Sequence, residues 1–213
     1  MHIKMKKALL ILLISIIQLN FLTAQNKDFV GRILYKNVFF TPTGVNITAK
    51  VSPALGAEQD YYTNANNYKS VLNGSAMFMQ LYSGLTNKYY IVLPNKTAQE
   101  IDGSTVSDSV INVQHVKSDT LILGRKCKTF VMTTLQSVTT YFYDPTLKVN
   151  KENFKMHEYG NWNRYLQESN GALPIKYTVK TKMFTWDAEA IKIEEMNLVD
   201  KDFELSSDII IKK

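Results

Sequence analysis

Closely spaced turn signals constrain the fold of this chain more than any other feature. Clusters of Gly, Pro, Asn and Asp interrupt it roughly every 8 to 15 residues, and short runs rich in Val, Ile, Thr, Tyr and Phe lie between them. Parallel strands need crossovers of a dozen or more residues, so this spacing favours strands that pair with their neighbours in sequence. We expect a mainly β fold with an antiparallel sheet and one or two helices.

The clearest turn chemistry lies in residues 120–147, which predict a meander of three strands. Gly124-Arg125 predicts a type II′ turn, because the first central position of that turn has φ > 0. Asp144-Pro145 predicts the end of the third strand, because proline has no N–H to donate to the ladder. The strands themselves are predicted at 120–123, 127–135 and 137–143.

We expect roughly nine to eleven strands in the whole chain, since the segment at 58–63 is a weaker candidate than the others. Asn161 or Asn163 is expected to begin a helix over residues 161–169, and Gly171 to end it. Asp187-Ala188 is expected to be a hairpin turn. The remaining strands are predicted at 29–40, 45–51, 58–63, 75–82, 88–93, 97–101, 110–116, 173–186 and 189–199.

Residues 1–24 have the pattern of a secretory signal peptide. Lys4, Lys6 and Lys7 precede an apolar run, and Ala24 supplies a small residue before the expected cleavage site. The apolar run is shorter than the ~20 residues of a membrane span, and no cysteine follows it to carry a lipid anchor. We expect a periplasmic or secreted protein with one domain over residues 25–213.

Charge and cysteine content exclude several classes. Three of the six net positive charges of the whole chain lie in the signal peptide. The remainder is spread out, whereas nucleic-acid binding needs a clustered basic patch, so we expect no nucleic-acid partner. Cys127 is the only cysteine, so no internal disulfide can form. Its sequence neighbours point to the opposite strand face, which favours a buried, inert thiol.

No catalytic or metal-binding pattern stands out. His115 and His157 lack partners at metal-ligand spacing, and we expect isolated surface or strand histidines, with no metal and no cofactor. Glu194 and Glu195 point to opposite faces of a strand, so they predict a solvated edge and not a catalytic pair. We therefore expect a protein that is not an enzyme.

Aromatic and methionine side chains carry the one functional signal. On many strands both faces are apolar, and such a sheet must be covered on both sides or must face a ligand. Two alternatives follow: an ordinary filled core capped by the helix near Trp162, or a cavity whose flexible and flat side chains adapt to an acyl chain. The candidate cavity residues are Met77, Met79, Tyr89, Ile91, Phe130, Met132, Phe142, Trp162 and Phe184.

Several segments resemble a family of small exported proteins of Gram-negative bacteria that is grouped as a domain of unknown function. The hairpin ILGRKCKTF at 122–130 is similar to that family's I-x-G-[YRK]-K-C-K-x-[FY] pattern. The YFYD turn at 141–144, the GALPIK strand entry at 171–176 and the segments at 191–195 and 202–205 are similar as well. The lipoprotein cysteine of many relatives is missing here.

The resemblance implies a fold like that of the LolA and LolB lipoprotein carriers. In that fold a curved antiparallel sheet forms an unclosed barrel, with helices on its concave side. It also implies a function: an exported protein, without enzymatic activity, that binds a lipid or lipoprotein acyl chain in the half-barrel and contacts the outer membrane peripherally. The alternative is a structural or protein-interaction module of the cell envelope with a filled core.

Overall fold

Fourteen strands and two α-helices make up the described part of the chain, residues 28–212 of a computed structural model. The first strands are β1 Gly31–Phe40, β2 Glu58–Thr63, β3 Asn67–Leu72, β4 Met79–Ser83, β5 Lys88–Val92, β6 Thr97–Asp102 and β7 Val110–Val116. The later strands are β8 Leu121–Ile122, β9 Arg125–Lys126, β10 Lys128–Thr134, β11 Val138–Lys148, β12 Ala172–Lys180, β13 Thr185–Glu195 and β14 Ile210–Lys212. The helices are α1 Thr48–Leu55 and α2 Trp162–Ser169, and 3₁₀ turns lie at Lys151–Phe154, Tyr159–Asn161 and Asp200–Phe203.

Twelve of the strands form one sheet in the order β14-β6-β5-β4-β3-β2-β1-β13-β12-β11-β10-β7. Two antiparallel meanders, β1 to β6 and β7 to β13, join at the centre, where β1 pairs with β13. Only the short β14 pairs in parallel, with β6. The small β8–β9 hairpin stands apart from the large sheet. The expected antiparallel architecture is confirmed.

The connection from β6 to β7 shows that the sheet is strongly curved. These strands are ten places apart in the sheet order, which is about 48 Å in a flat sheet with a ~4.8 Å spacing. The link over residues 103–109 supplies eight Cα steps, which span at most about 28 Å. The two ends of the sheet must therefore curl towards each other. The result is an unclosed barrel, and we call the link at 103–109 the strap.

The main core lies on the concave face. Tyr82 and Tyr89, from one half of the sheet, belong to the same buried cluster as Phe130 from the other half. Tyr165 and Leu166 of α2 pack into the middle of this cluster and are fully buried. α2 thus fills the curve of the sheet, which agrees with the expected helix on the concave side. By contrast α1 has no buried residue and packs beside β1.

The convex face of the first meander has its own apolar cover. Met79, Leu81, Val92 and Ala98 pack there against Phe203, which comes from the C-terminal segment. Apolar residues on both faces of these strands are explained by this second layer. Elsewhere on the convex face the strands carry ion pairs of Arg32 with Asp60 and Glu194, and of Lys176 with Asp187 and Glu189.

Two sequence-based predictions near the ends of strands are wrong. The predicted strand at 45–51 is replaced by α1, because the Asn46 side chain accepts a hydrogen bond from the Thr48 N–H at 2.9 Å and turns the chain. The turn after β12 lies at 181–184 and not at Asp187-Ala188. There the Thr181 hydroxyl accepts hydrogen bonds from the backbone of Met183 and Phe184 and closes the turn early.

The hairpin around Gly124 also differs from its prediction. Leu123 and Gly124 are the two turn residues, and both have positive φ, 50° and 72°. That is the type I′ pattern, with glycine second, and not the type II′ pattern. Nor does Asp144-Pro145 end its strand, since β11 continues to Lys148. Asp144 accepts hydrogen bonds from the Thr146 N–H and hydroxyl, both at 2.8 Å, and these support the chain past the proline.

The predicted signal peptide, residues 1–24, lies outside the described residues. None of the helices within residues 28–212 has the length and hydropathy that a membrane span requires.

Candidate functional site

A pocket of about 380 Å³ opens on the concave face, between the sheet and the start of α2. Strands from both meanders contribute to it, and so do the strap and the turn that precedes α2. Its wall is dominated by tyrosine. The lining residues are Tyr35, Gln59, Tyr61, Tyr68, Ser70, Gln80, Tyr89, Ser107, Tyr141, Tyr159, Gly160, Trp162, Pro174, Tyr177 and Val179.

The lining is uncharged, and no Asp, Glu, Lys, Arg or His belongs to it. Burial raises the pKa of Tyr35, Tyr68 and Tyr177 above the usual tyrosine value. Burial likewise raises the pKa of Tyr141, to about 12. All these phenols are therefore neutral at pH 7, and the pocket presents aromatic surface and neutral hydroxyls to whatever enters it.

Several polar groups of the wall are already paired within the protein. The Tyr177 hydroxyl donates to Gln59 Oε1 at 2.6 Å, and Gln59 Nε2 donates to the Ser70 hydroxyl at 2.7 Å. The Tyr35 hydroxyl donates to the Pro174 carbonyl at 2.5 Å. These bonds tie β1, β2, β3 and β12 together across the concave face. They also fix the tyrosine rings in place, so this side of the wall is preorganised.

His157 supports the wall from behind. Its ring stacks on Tyr82 with a centroid distance of 3.9 Å and an interplanar angle of 6°. Its Nε2 lies 2.7 Å from the hydroxyl of Tyr68, which lines the pocket. Burial lowers the pKa of His157 to about 3, and a backbone hydrogen bond with Gly103 only partly opposes that shift. The imidazole is therefore neutral at pH 7, and the prediction of a surface or strand position is wrong for this histidine.

Trp162 Nε1 is a buried donor with no hydrogen-bond partner within residues 28–212, and the buried Tyr61 hydroxyl lies beside Thr63. Their rings are neighbours, with centroids 6.2 Å apart. Trp162 also stacks on Tyr165 of α2 at 5.2 Å with an interplanar angle of 16°, which holds its indole against the helix. A buried donor without a partner costs about 1–3 kcal/mol, so Trp162 Nε1 lowers the stability of this part of the wall.

The strap and the turn before α2 close one side of the pocket. The Gly103 carbonyl accepts hydrogen bonds from the N–H groups of Glu158 and Tyr159, at 2.7 and 2.9 Å. The Gly160 N–H donates to the Ser107 hydroxyl at 3.0 Å. Because Ser107, Tyr159 and Gly160 all line the pocket, the shape of its mouth depends on these contacts.

The predicted cavity residues are distributed over the molecule. Tyr89 and Trp162 line the pocket. Phe130 and Met132 are fully buried in the main core, with Ile91 and Phe142 packed against it. Met79 does not face the concave side, because it packs in the convex cluster beside Leu81. Met77 is half-buried ahead of β4, and Phe184 lies at the tip of the β12–β13 hairpin, where it lines a different depression.

Most of the pocket tyrosines were missed by sequence reasoning. The chain has 12 tyrosines, and seven of them line this one pocket. The usable signal was tyrosine at one face of a strand, as for Tyr61 and Tyr177, where a purely apolar core would favour Leu, Ile or Phe. That signal marks a wall that is apolar in its body and polar at its tips.

The other candidate residues lie away from the pocket. Cys127 is buried, as expected, and burial raises the pKa of its thiol. His115 is exposed on β7, where its Nε2 lies 2.9 Å from Glu168. Glu194 and Glu195 lie on β13, a central strand, so the predicted edge position is wrong. No group of three His, Cys, Asp or Glu side chains within residues 28–212 is placed to hold a metal ion.

Comparisons with known proteins give a fold likeness alone. The chain matches no protein-family model and no curated protein. Among solved structures it is similar to PNGF-II, at 13% identity and a TM-score of 0.51, over 85% of this chain and 31% of that one. A second crystal form of PNGF-II gives 12% identity and a TM-score of 0.50. The chain thus spans about a third of the length of PNGF-II.

Two further structures align over most of both chains but more loosely. One is a LolA superfamily protein from Nitrosomonas europaea, with 9% identity, a TM-score of 0.38, and coverage of 84% of this chain and 91% of that one. The other is named as a putative outer membrane lipoprotein-sorting protein domain from Vibrio parahaemolyticus, with 8% identity, a TM-score of 0.38, and coverage of 81% of this chain and 88% of that one. A shared fold does not assign a function.

Proposed function

We propose that this chain is a non-enzymatic, exported protein that binds a hydrophobic ligand, a lipid or acyl chain, in the tyrosine-lined pocket. The observation that carries the proposal is the pocket itself. Its volume of about 380 Å³ falls within the ~300–1,000 Å³ of small-molecule sites. Its wall is aromatic and uncharged, as an apolar ligand requires.

The size and position of the pocket favour this function over a filled-core interaction module. A module with a solid core needs no cavity of about 300 Å³ or more, the lower range of ligand sites. Here the concave face keeps an open pocket although α2 packs into the same curve. Exposed apolar surface of this kind is costly in water unless something covers it. A ligand that replaces water there gains the burial energy of both surfaces.

The location proposed for this activity is the periplasm or the cell exterior, with peripheral contact to the outer membrane. The proposal rests on the signal-peptide pattern of residues 1–24 and on the half-barrel fold. A carrier with an open concave site can accept an acyl chain from a membrane surface and release it again. That exchange requires a pocket with a mouth, which the unclosed barrel provides.

Mass spectrometry of organic extracts tests the proposal directly. The protein is purified from the periplasm of its producing cells and extracted, and the extract is compared with that of an unrelated periplasmic protein. We expect enrichment of an acyl lipid and displacement of a fluorescent fatty-acid probe by that lipid. Absence of lipid from the extract, together with no probe binding, would refute the proposal.

A matched pair of substitutions ties binding to the pocket. Val179 lines the pocket on β12, and Val179→Trp fills part of it. Val131 is equally half-buried, but it alternates on β10 with the concave residues Phe130 and Met132 and therefore faces the convex side. We expect Val179→Trp to weaken probe binding at least tenfold and Val131→Trp to leave it unchanged. If both variants bound the probe equally well, the ligand would have to bind outside this pocket.

A further inference from the structure

Three neighbouring loops at one end of the sheet each carry an exposed apolar residue. Leu135 lies at the tip of the β10–β11 hairpin, Met183 at the tip of the β12–β13 hairpin, and Val45 in the loop after β1; they are 70%, 77% and 60% exposed. The five strands involved, β1, β13, β12, β11 and β10, are consecutive in the sheet. A strand spacing of ~4.8 Å therefore puts the three loops in a row about 20 Å long. We call these three residues the apolar tips.

The strand register shows that the three loops lie at the same end of the half-barrel. Phe40, at the end of β1, pairs with Thr185 at the start of β13. Lys180, at the end of β12, pairs with Val138 at the start of β11. The apolar tips therefore project from one rim of the sheet, where a single flat surface can meet all of them.

A depression beside the two hairpin tips adjoins the tyrosine-lined pocket. Its volume is about 540 Å³, and Leu135 and Met183 are among the residues that line it. Val179 belongs to the walls of both the depression and the pocket. The strap supplies Asp108 to the depression and the adjacent Ser107 to the pocket. The two hairpin tips thus lie next to the proposed lipid site.

The charge on these loops is positive. Residues 41–46 and 135–138 contain no charged side chain, whereas Lys180 and Lys182 are both exposed at the turn that carries Met183. The lining of the depression includes one acid, Asp108, which is half-buried. The outer surface of the loops therefore presents cations beside apolar side chains.

A bilayer surface matches these features together. A single exposed apolar residue is normal in a folded protein, but a row of three at loop tips with adjacent cations matches the layered chemistry of a membrane interface. Apolar side chains enter the boundary of the hydrocarbon, and lysine ammonium groups lie at the level of anionic headgroups. A folded protein partner would need separate hollows for three protruding loops, whereas a bilayer yields to each of them.

We infer that the apolar tips dock this protein on a bilayer that contains anionic phospholipid. Leu135, Met183 and Val45 enter the interface, and Lys180 and Lys182 contact the headgroups. The inference rests on the proposed function and names the surface through which the pocket faces its source of ligand.

Vesicle flotation tests the docking surface. Protein purified from the periplasm is mixed with vesicles of phosphatidylcholine, alone or mixed with phosphatidylglycerol, and the fraction that floats with the lipid is measured. Combining Leu135→Gln with Met183→Gln should weaken binding to both kinds of vesicle at least about tenfold, because two buried apolar side chains are lost. Leu85→Gln is the matched control, because Leu85 is 94% exposed but lies on the β4–β5 hairpin at the opposite end of the sheet. It should leave binding unchanged.

Lysine variants test the choice of anionic lipid. Lys180→Gln and Lys182→Gln should each weaken binding to the vesicles with phosphatidylglycerol about fivefold, and they should leave binding to phosphatidylcholine alone unchanged. Lys128→Gln is the control, because Lys128 is exposed at the other end of β10. It should bind both kinds of vesicle as the unaltered protein does.

Binding of the fluorescent fatty-acid probe in buffer without vesicles separates this inference from the proposed function. The variants at Leu135 and Met183 should bind the probe as the unaltered protein does, since neither residue lines the pocket. The docking surface would be refuted if the unaltered protein did not float with either vesicle, if the tip variants floated normally, or if Leu85→Gln lost as much binding as they did. Failure of the unaltered protein to bind the probe in buffer would instead refute the proposed function.

Discussion

The buried imidazole of His157 makes the stability of this protein depend on pH in a calculable way. The ring is 0% exposed and is stacked on Tyr82. Its other nitrogen faces the Tyr68 hydroxyl, and burial raises the pKa of the neighbouring Tyr68, Tyr82 and Tyr89, so these phenols stay neutral. The backbone hydrogen bond with Gly103 favours the charged form of the ring, but burial outweighs it.

Proton linkage determines whether the free energy of unfolding rises or falls with pH. Burial lowers the pKa of His157 in the folded protein to about 3, against an ordinary value of 6.5 in the unfolded chain. Below pH 6.5 the unfolded chain binds a proton that the folded protein does not, so stability falls as pH falls, down to about pH 3. At pH 5 the loss relative to pH 8 is about 1.5 pKa units at 1.36 kcal/mol each, or about 2 kcal/mol. This figure is unchanged for any folded pKa below about 4.

Urea unfolding followed by tryptophan fluorescence measures the effect at pH 8 and pH 5. His157→Gln removes the titration, so the unaltered protein should lose about 2 kcal/mol more than this variant between the two pH values. His115→Gln is the control for the loss of a histidine in itself, because the His115 side chain is exposed whereas that of His157 is buried. Other titrating groups cancel in the comparison. An identical loss in His157→Gln and the unaltered protein would refute the argument.

Three further predictions concern the packing around the sheet. Gly31→Ala should lower the free energy of unfolding by about 1–3 kcal/mol, because the added Cβ atom would clash with the Glu194 carbonyl oxygen. An unchanged urea midpoint would contradict this. Phe203→Ala should cost about 3–5 kcal/mol and speed hydrogen exchange in β14, because Phe203 anchors the C-terminal segment on the convex face; unchanged exchange would contradict it. Asp144→Ala should lower stability by about 1–3 kcal/mol, since burial acts to raise the pKa of Asp144 but hydrogen bonds from Thr146 and Arg125 outweigh it and hold that pKa below its usual value. Replacing Asp119, an exposed partner of Lys126, should change stability by less than 0.5 kcal/mol by comparison.

Local chemistry predicted the antiparallel strands well where strand and turn signals agreed. β2 has the bounds that alternation and its flanking residues indicate, and β5 and β6 follow their turn residues closely. α2 begins and ends where Asn161 and Gly171 suggest, and both have positive φ. In these segments hydrophobic period and turn residues act within a few positions of each other, so a short window contains the information.

The predictions are wrong where side-chain hydrogen bonds and packing, which no periodicity in the sequence records, decide the structure. The segment at 45–51 has β-branched residues, but the Asn46 side chain turns the chain there, and the Phe39 N–H donates to the Thr48 hydroxyl at 2.9 Å. His157 lies in a charged run, yet the 3₁₀ turn at Lys151–Phe154 directs Phe154 and His157 inwards. No periodicity in the sequence marks that inward face.

The sequence by itself determined an antiparallel sheet, the place of α2 and an abundance of tyrosine. It did not reveal that seven tyrosines, six from strands and one from the turn before α2, share one pocket, or that Met79 faces the convex side. Those facts depend on sheet curvature and on which segment covers each face. Both are set by contacts between residues far apart in sequence, such as the strap at 103–109 with the turn before α2 and Phe203 with β4. Local propensity determines strands and turns, whereas the closing of the sheet upon itself determines which side chains meet.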